Sequence, residues 1–267
     1  MPELPEVECW GRRVAERACV GRTIEKVVVD PAETIVIEGV TPRTLARKLR
    51  GRRVEASHRR GKQMWWTLDR GPHPLWHFGM TGGFHHYPPE AERPRFVKVE
   101  LHLDDGMCFA FADARRFGRV RMLDDPEREK PLSQLGPDAL HELPSAAWLI
   151  ERFAQRKTPI KALLLNQSFL AGVGNWIADE VLYQSGIAPQ RLAHALTPAE
   201  IKRLRAKLRY VLSKACDWEA DYRRFPKTWL FHHRWGKNNG ALTGRGEEIA
   251  YDTVGGRTTA WVPTAQR

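Results

Sequence analysis

The N-terminal residues could supply a nucleophile. If Met1 is removed, Pro2 becomes the first residue and presents a secondary amine beside the carboxyl group of Glu3. An α-amino group titrates near ~7.7–8.0, about two units below a free lysine. Such an amine can attack an aldehyde-like carbon to form an iminium, while Glu3 exchanges a proton with the reacting group. The alternative is structural, because proline is also favoured in the first turn of a helix.

Two glycine-flanked loops carry side chains suited to distorting DNA. Arg115 and Phe117 lie in the loop 113–118 after a predicted hairpin, and Met80 lies in the segment 77–83. An arginine can hydrogen-bond a base edge, and an apolar side chain can wedge between base steps. Met and Phe are more often core residues, but the flanking glycines favour exposed loops.

A glycine turn further along the chain indicates a phosphate grip. Gly172, Gly174 and Asn175 stand just before an apolar-periodic helix, and amide groups at a helix N-terminus bind phosphate. Lys161, on the preceding helix, could reach the same phosphate. A tight turn between two helices is the alternative. Together these residues favour a helix-two-turn-helix that holds a nucleic-acid backbone.

The first half of the chain is rich in short β segments. They are predicted at residues 23–29, 34–38, 52–58, 63–68, 97–103, 107–112 and 118–123. An Asp-Asp-Gly turn at 104–106 joins two of them into a hairpin. A short helix begins at Thr41-Pro42 and stops at Gly51. A leading helix precedes the strands, with one apolar face formed by Val7, Trp10, Val14 and Ala18.

From residue 144 the pattern changes to helices. They are expected to begin at Ser145, Thr158 and Thr197, and the last has a capping box with Glu200. Two strand-like runs near the end, 247–251 and 257–262, could pair as a hairpin. The predicted fold class is therefore α+β. Its parts are a helix plus β-sandwich domain in 1–123, a linker in 124–144, a helical domain in 145–222 and a metal-free hairpin in 223–267.

The charge of the chain favours a polyanionic partner. Its 267 residues carry 43 Lys and Arg against 32 Asp and Glu, a formal net charge of +11. Residues 223–267 are more biased than the whole, with eight basic and three acidic side chains. Nucleic acid is the first polyanion to consider. A generally basic, solvated surface is the alternative.

No metal, cofactor or membrane span is expected. The four cysteines, Cys9, Cys19, Cys108 and Cys216, show no C-x-x-C pairing. No apolar run approaches the roughly 18 residues of a membrane span. The N-terminus lacks the charged and apolar regions of a signal peptide. An intracellular protein is therefore expected, in the nucleus of a eukaryote or in the cytoplasm or nucleoid of a bacterium.

A basic run, 59–63, stands at the head of a predicted strand. Together with the motifs above, in their order and spacing, it resembles the pattern of the formamidopyrimidine-DNA glycosylase and endonuclease VIII family. Members excise oxidised bases and then cut the DNA strand at the abasic site. The resemblance implies a bifunctional DNA glycosylase and abasic-site lyase of base excision repair, acting as a monomer on damaged double-stranded DNA. Its expected substrates are oxidised purines, namely formamidopyrimidines and further-oxidised guanine, with 8-oxoguanine left open.

The resemblance also implies roles for particular residues. Pro2 matches the Schiff-base nucleophile, Glu3 the proton donor that opens the sugar, and Glu6 a supporting acid. Lys62 matches the lysine that contacts DNA and assists β-elimination, and Arg257 the arginine that grips phosphate and aids the second elimination. The expected DNA-binding residues are Met80, Arg115 and Phe117, which fill the gap left by the everted nucleotide, Arg156, Lys161 and Asn175 on phosphates, and Glu180 in the helix after the glycine turn.

The C-terminal region departs from the bacterial pattern. Typical bacterial members end in a four-cysteine zinc finger, whereas no cysteine follows Cys216 here. Residues 255–263 resemble instead the metal-free hairpin of plant and fungal-type members. The segment 225–246 does not match the longer lesion-capping loop of bacterial members, which favours formamidopyrimidines over 8-oxoguanine.

Three other functions remain open at this stage. An endonuclease VIII-like glycosylase would excise oxidised pyrimidines, but that branch usually places its wedge residues differently from Met80, Arg115 and Phe117. A non-catalytic protein that binds abasic sites would have no use for an unblocked Pro2. An RNA-binding protein would show no preference for a lesion-containing duplex.

Overall fold

The computed structural model describes residues 2–238 and 240–267 of the chain. By its internal contacts the chain divides into two compact units, residues 1–134 and 135–267. The division falls inside the segment 124–144 that the sequence predicts as a linker. The finer four-part division into 1–123, 124–144, 145–222 and 223–267 stays a prediction. No helix in the described ranges is long and apolar enough to cross a membrane.

The first unit begins with three helical segments in succession: α1 (Leu4–Glu6), a π-helical stretch (Val7–Arg12) and α2 (Arg13–Cys19). The residues of the predicted apolar face are not all buried, since 40% of Trp10 is exposed. The i→i+5 hydrogen bonds of a π-helix widen the turn and move the buried face off the 3.6-residue spacing. Gly11 takes the buried position, because a Cβ atom there would lie 2.2 Å from Met64 Sδ.

Two four-stranded antiparallel sheets form the body of this unit. One has the order β1 (Ile24–Val29), β6 (Val97–Leu103), β7 (Cys108–Ala112), β5 (Gly83–Tyr87), and the other β2 (Val54–Arg60), β3 (Gln63–Leu68), β4 (His73–His77), β8 (Arg119–Leu123). The sheets share one aromatic core, in which the rings of Trp66 and Phe109 lie 5.5 Å apart and those of Phe84 and Phe109 4.9 Å apart. Helix α3 (Pro42–Leu49) starts from the N-cap Thr41. The predicted β-sandwich with a leading helix is confirmed.

The predicted strand 34–38 does not form. Its backbone makes only an isolated bridge from Ile37 to Val120, because the Glu33 carboxylate accepts hydrogen bonds from the N–H groups of Ile35 and Val36. These two N–H groups are therefore not available for hydrogen bonds to a neighbouring strand. Conversely, β4 and β5 were not predicted. They flank the segment that the sequence indicated only as a glycine-rich loop.

The second unit is helical and ends in a hairpin. Its helices are α4 (Ala146–Ala154), α5 (Ile160–Leu165), α6 (Asn175–Ser185) and α7 (Pro198–Asp217), with a short 3-10 segment at Leu230–His232. Ser145 caps α4, and Thr197 with Glu200 forms the predicted capping box of α7. Strands β9 (Ala250–Val254) and β10 (Arg257–Trp261) pair antiparallel. Gly255 and Gly256, both at positive φ, form the two-residue turn between them.

Candidate functional site

The turn that follows Pro2 is held by two buried carboxylates. Pro2 is half-buried, while Glu3 and Glu6 are buried. The Glu3 N–H donates to Glu6 Oε2 over 2.8 Å, and the Glu3 carbonyl accepts from the Val7 N–H over 3.0 Å. Glu6 therefore fixes the backbone of the residue that follows Pro2. This position suits a supporting acid better than a group that itself meets a substrate.

A buried ion network ties this helical segment to the turn that carries Lys62. The Glu8 carboxylate pairs with Arg12 at 2.7 Å and with Arg59 at 2.9 Å, and Arg59 also donates to the Gly61 carbonyl over 2.9 Å. Burial alone would raise the pKa of Glu8, but the hydrogen bond from Arg12 and the charge of Arg59 lower it to about 2. The side chain of Arg59 is fully buried, so this member of the basic run 59–63 is neither solvated nor a phosphate contact.

The three predicted wedge residues stand on exposed loops. Met80 is 38% exposed and Phe117 is 47% exposed, which agrees with loop positions rather than core positions. The guanidinium carbon of Arg115 lies 4.9 Å from the centre of the Phe117 ring. This cation–π contact keeps a planar cation and a planar ring together on one loop. Their roles toward a nucleotide gap stay predictions.

One buried carboxylate joins the two wedge loops. Asp113 accepts from the Thr81 hydroxyl at 2.5 Å and from the Gly118 N–H at 2.6 Å. The Arg115 N–H donates both to Asp113 and to Thr81 Oγ1, each over 3.2 Å. Gly79, at φ +61°, approaches so closely that a Cβ atom would lie 2.4 Å from the Phe117 carbonyl carbon. The loops therefore form a single rigid projection.

A neutral histidine anchors the start of the Met80 loop. Burial, together with the positive charge of Lys62, lowers the pKa of His77 to about 4. His77 Nδ1 lies 3.2 Å from the Gly79 nitrogen and accepts its N–H. Because the ring is uncharged at neutral pH, this acceptor persists across the physiological range.

In the second unit, the predicted phosphate residues divide into exposed and buried sets. Arg156 and Arg257 are exposed. Asn175 is half-buried and donates from Nδ2 to the Thr258 carbonyl over 2.9 Å. Lys161 is fully buried, so its ammonium group does not face solvent.

Glu180 is also buried, and it holds the backbone of the 3-10 segment. Its Oε2 accepts from the Phe231 N–H over 2.8 Å, and its Oε1 accepts from the Gln184 amide over 2.7 Å. Burial raises the pKa of Glu180 to about 7. This carboxyl group supports the second unit from inside.

Comparison with known proteins agrees with this arrangement. Residues 1–120 match the formamidopyrimidine-DNA glycosylase N-terminal domain, and residues 135–226 match the formamidopyrimidine-DNA glycosylase H2TH domain. The chain belongs to the formamidopyrimidine-DNA glycosylase family. A relative from Arabidopsis thaliana, named formamidopyrimidine-DNA glycosylase, is 39% identical over all of this chain and 71% of its own length. One from Pelobacter propionicus with the same name is 32% identical over the full length of both.

Solved structures of the glycosylase family share the fold. A Lactococcus lactis mutant protein in complex with DNA containing Fapy-dG is 26% identical, covers all of both chains and has a TM-score of 0.85. A MutM protein in complex with DNA containing carbocyclic 8-oxo-G is 25% identical over all of both chains, with a TM-score of 0.86. The likeness includes the hairpin region beyond the two matched domains.

Other features of this glycosylase-family chain lie apart from the predicted residues. A cavity of about 660 Å³ in the second unit is lined by Arg203, Lys207 and Arg245, but by none of the predicted site residues. Glu100, His102 and Cys108 are close enough to offer metal ligands. The Glu100 carboxylate, however, already accepts hydrogen bonds from Arg93, Tyr87 and His102, and the Arg93 guanidinium balances its charge. We assign no metal to this group.

The sequence-based interpretation missed residues that hold the site residues in place: Glu8, Arg59, Thr81, Asp113, and also Asp179 and Arg234, since Asp179 pairs with both Lys161 and Arg234. Arg59, Thr81 and Asp113 lie inside the motifs 59–63, 77–83 and 113–118, but nothing in those motifs marks them as supports. Each of these contacts joins residues that are far apart in the chain, so local spacing does not reveal them.

Proposed function

We propose that this member of the glycosylase family excises oxidised purines from damaged double-stranded DNA through a Schiff base of Pro2 and then cuts the abasic strand. The observation that carries the proposal is the N-terminal turn. A half-buried Pro2 is followed by a buried Glu3, whose backbone N–H is held by Glu6. A secondary amine and an acid in adjacent, fixed positions are what iminium chemistry at a sugar requires.

The proposed reaction begins with removal of Met1, which frees the Pro2 nitrogen. The amine attacks C1′ of the damaged nucleotide, and the oxidised base leaves with the electron pair of the broken C1′–N bond and takes up the proton that the amine nitrogen releases. Glu3 then gives a proton to the ring oxygen, and the bond from C1′ to that oxygen breaks so that the sugar opens to an iminium. Loss of a proton from C2′ then breaks the bond from C3′ to its phosphate oxygen, which is β-elimination. Lys62, on the turn linked to the same helical segment through Arg59 and Glu8, assists this step.

The wedge loops supply access to C1′. A nucleotide must leave the base stack before its sugar carbon can be attacked, at a cost of a few kcal/mol that a damaged base reduces. We infer that Met80 and Phe117 occupy the gap and that Arg115 contacts the orphaned base. The shared support from Asp113 and Thr81 favours concerted insertion of all three. Arg156, Asn175 and Arg257 contribute phosphate contacts, which position a protein without reading sequence.

Borohydride trapping tests the nucleophile. Protein whose Met1 has been removed, as verified by intact mass, is mixed with an abasic duplex and reduced. A covalent adduct is expected, and peptide mapping places it on Pro2. The matched control is the same protein with Met1 retained, whose acylated proline nitrogen gives no adduct. A processed protein that binds the duplex and yields no trapped species would refute the mechanism and leave a binding protein.

A panel of single-lesion duplexes tests the substrate class. Formamidopyrimidine and further-oxidised guanine are expected to be excised faster than 8-oxoguanine, because the segment 225–246 does not match the bacterial lesion-capping loop. Faster excision of oxidised pyrimidines would assign an endonuclease VIII-like activity instead.

A further inference from the structure

The hairpin that carries Arg257 needs support from the rest of the second unit. A two-stranded sheet is marginally stable by itself in water. Strands β9 and β10 contribute only five residues each. Some other structure must therefore fix the position of Arg257.

A buried carboxylate on α6 lies under this hairpin. Asp179 Oδ1 lies 2.6 Å from Lys161 Nζ, and Asp179 Oδ2 lies 2.6 Å from Arg234 Nη2. Asp179 Oδ2 also accepts from the Ala260 N–H of β10 over 3.1 Å. The side chains of Asp179 and Lys161 are fully buried, and Arg234 is nearly so. Removing one partner from such a cluster leaves an uncompensated buried charge.

Lys161 extends the cluster to the backbone beside Arg257. Its ammonium group donates to the Thr258 carbonyl over 3.1 Å and to Thr259 Oγ1 over 2.7 Å. Lys161 thus combines two hydrogen bonds to β10 with an ion pair to Asp179 Oδ1. The Thr259 hydroxyl in turn donates to the Arg257 carbonyl over 3.1 Å. The Lys161 ammonium group therefore bonds to the buried side of the hairpin and is not exposed to solvent.

The turn of the hairpin is held as well. A Cβ atom on Gly255 would lie 3.0 Å from the Cβ atom of Ala162, so the turn rests on α5. Asn175 donates to the same Thr258 carbonyl that Lys161 contacts. Residues 258, 259 and 260 are thus each held by a side chain of α5 or α6.

We propose that Asp179, acting through Lys161, is the positioning residue of the hairpin and sets the place of Arg257. This inference rests on the proposed function only in that Arg257 contacts phosphate. Asp179 itself does not meet DNA. It pairs with and orients Lys161, and Lys161 holds the strand in which Arg257 is the first residue. Arg234 forms an ion pair with the second oxygen, Oδ2, of the same carboxylate.

A double-mutant cycle tests the inference. Affinity for a duplex with an abasic-site analogue, and the rate of strand cleavage, are measured for D179N, R257A and the double variant. R257A and D179N should each weaken affinity about tenfold, the size expected for one lost charge-assisted contact. The double variant should be no weaker than R257A alone. D217N, which changes an exposed carboxylate at the end of α7, is the matched control and should behave as wild type.

Hydrogen exchange in the free protein provides a readout that does not depend on DNA. The amides of residues 258–260 should exchange faster in D179N and unchanged in D217N. If D179N fails to fold, K161M serves in its place, because methionine keeps the apolar stem and removes both the two hydrogen bonds to β10 and the ion pair with Asp179. K161M should show the same faster exchange and the same lack of added effect with R257A.

The outcomes separate this inference from the proposed function. Additive losses in the cycle, or unchanged exchange in both D179N and K161M, would overturn the positioning role. An R257A variant with full affinity and cleavage would instead remove the proposed role of Arg257, while faster exchange in D179N would still support the anchor.

Discussion

Replacing Asp113 by Asn should uncouple base excision from strand cleavage. The carboxylate accepts from the Thr81 hydroxyl and from the Gly118 and Arg115 N–H groups. Asparagine has the same shape but only one oxygen, which can accept the hydrogen bond from the Gly118 N–H. Its NH₂ group then faces the Thr81 hydroxyl and the Arg115 N–H and cannot accept a hydrogen bond from either. The loss is about one charge-assisted hydrogen bond, or roughly 2 kcal/mol. At 1.4 kcal/mol per tenfold, this loss lowers the equilibrium constant for the ordered arrangement of the two loops by about 30-fold.

The assay compares two substrates under single-turnover conditions. Excision from a lesion duplex requires the nucleotide to be everted and the gap filled, so its rate for D113N should fall by about 10- to 30-fold. Cleavage of a preformed abasic site, where no base has to be displaced, should stay within about threefold. D69N, which alters an exposed turn carboxylate in the same unit, is the control. Equal losses on both substrates, or none, would refute the idea that Asp113 acts through the wedge loops.

Three further perturbations follow from the structure. Gly79→Ala should lower the melting temperature and slow excision, because a Cβ atom at φ +61° would meet the Phe117 backbone, and an unchanged melt would contradict that contact. For Glu180, whose pKa is raised to about 7 by burial, the folded state binds the proton more tightly, so stability should fall as pH rises from about 4.5 to 7 in urea titrations. Glu180→Gln should flatten this dependence, and an unaltered pH profile would assign it to another group. Arg156→Ala should reduce the slope of log Kd against log salt by about 0.9, and an unchanged slope would exclude a phosphate contact.

Local signals predicted the elements well where one short stretch decides the outcome. The Asp-Asp-Gly turn at 104–106 did give a hairpin, and Thr197 with Glu200 did cap α7. The leading helix was predicted, but its buried face was not, since the π-helical stretch places Gly11 rather than Trp10 against the core. A sequence pattern read at 3.6 residues per turn contains no information about such a local widening.

The sequence predicted the exposed loop positions of Arg115 and Phe117, but not the residues that support them, and the roles of the site residues stay predictions. Pro2, Arg115 and Phe117 belong to motifs whose residue types suggest chemistry directly. Asp113 meets Thr81, 32 positions away in sequence, and Lys161 meets Thr259 across 98 positions. Pairings at that separation depend on how the units fold, so residue type and spacing do not reveal them. Lys161 shows the consequence, because its type suggested a phosphate contact while its burial points to an internal anchor.

The four cysteines of the chain, Cys9, Cys19, Cys108 and Cys216, are all buried. Burial raises the pKa of Cys19 and of Cys108, which keeps those thiols protonated and poorly reactive toward peroxide. The hairpin of Arg257 depends on a carboxylate, an ammonium and a guanidinium group, none of which such oxidants attack. The contacts named for this hairpin therefore involve no thiol that peroxide could oxidise.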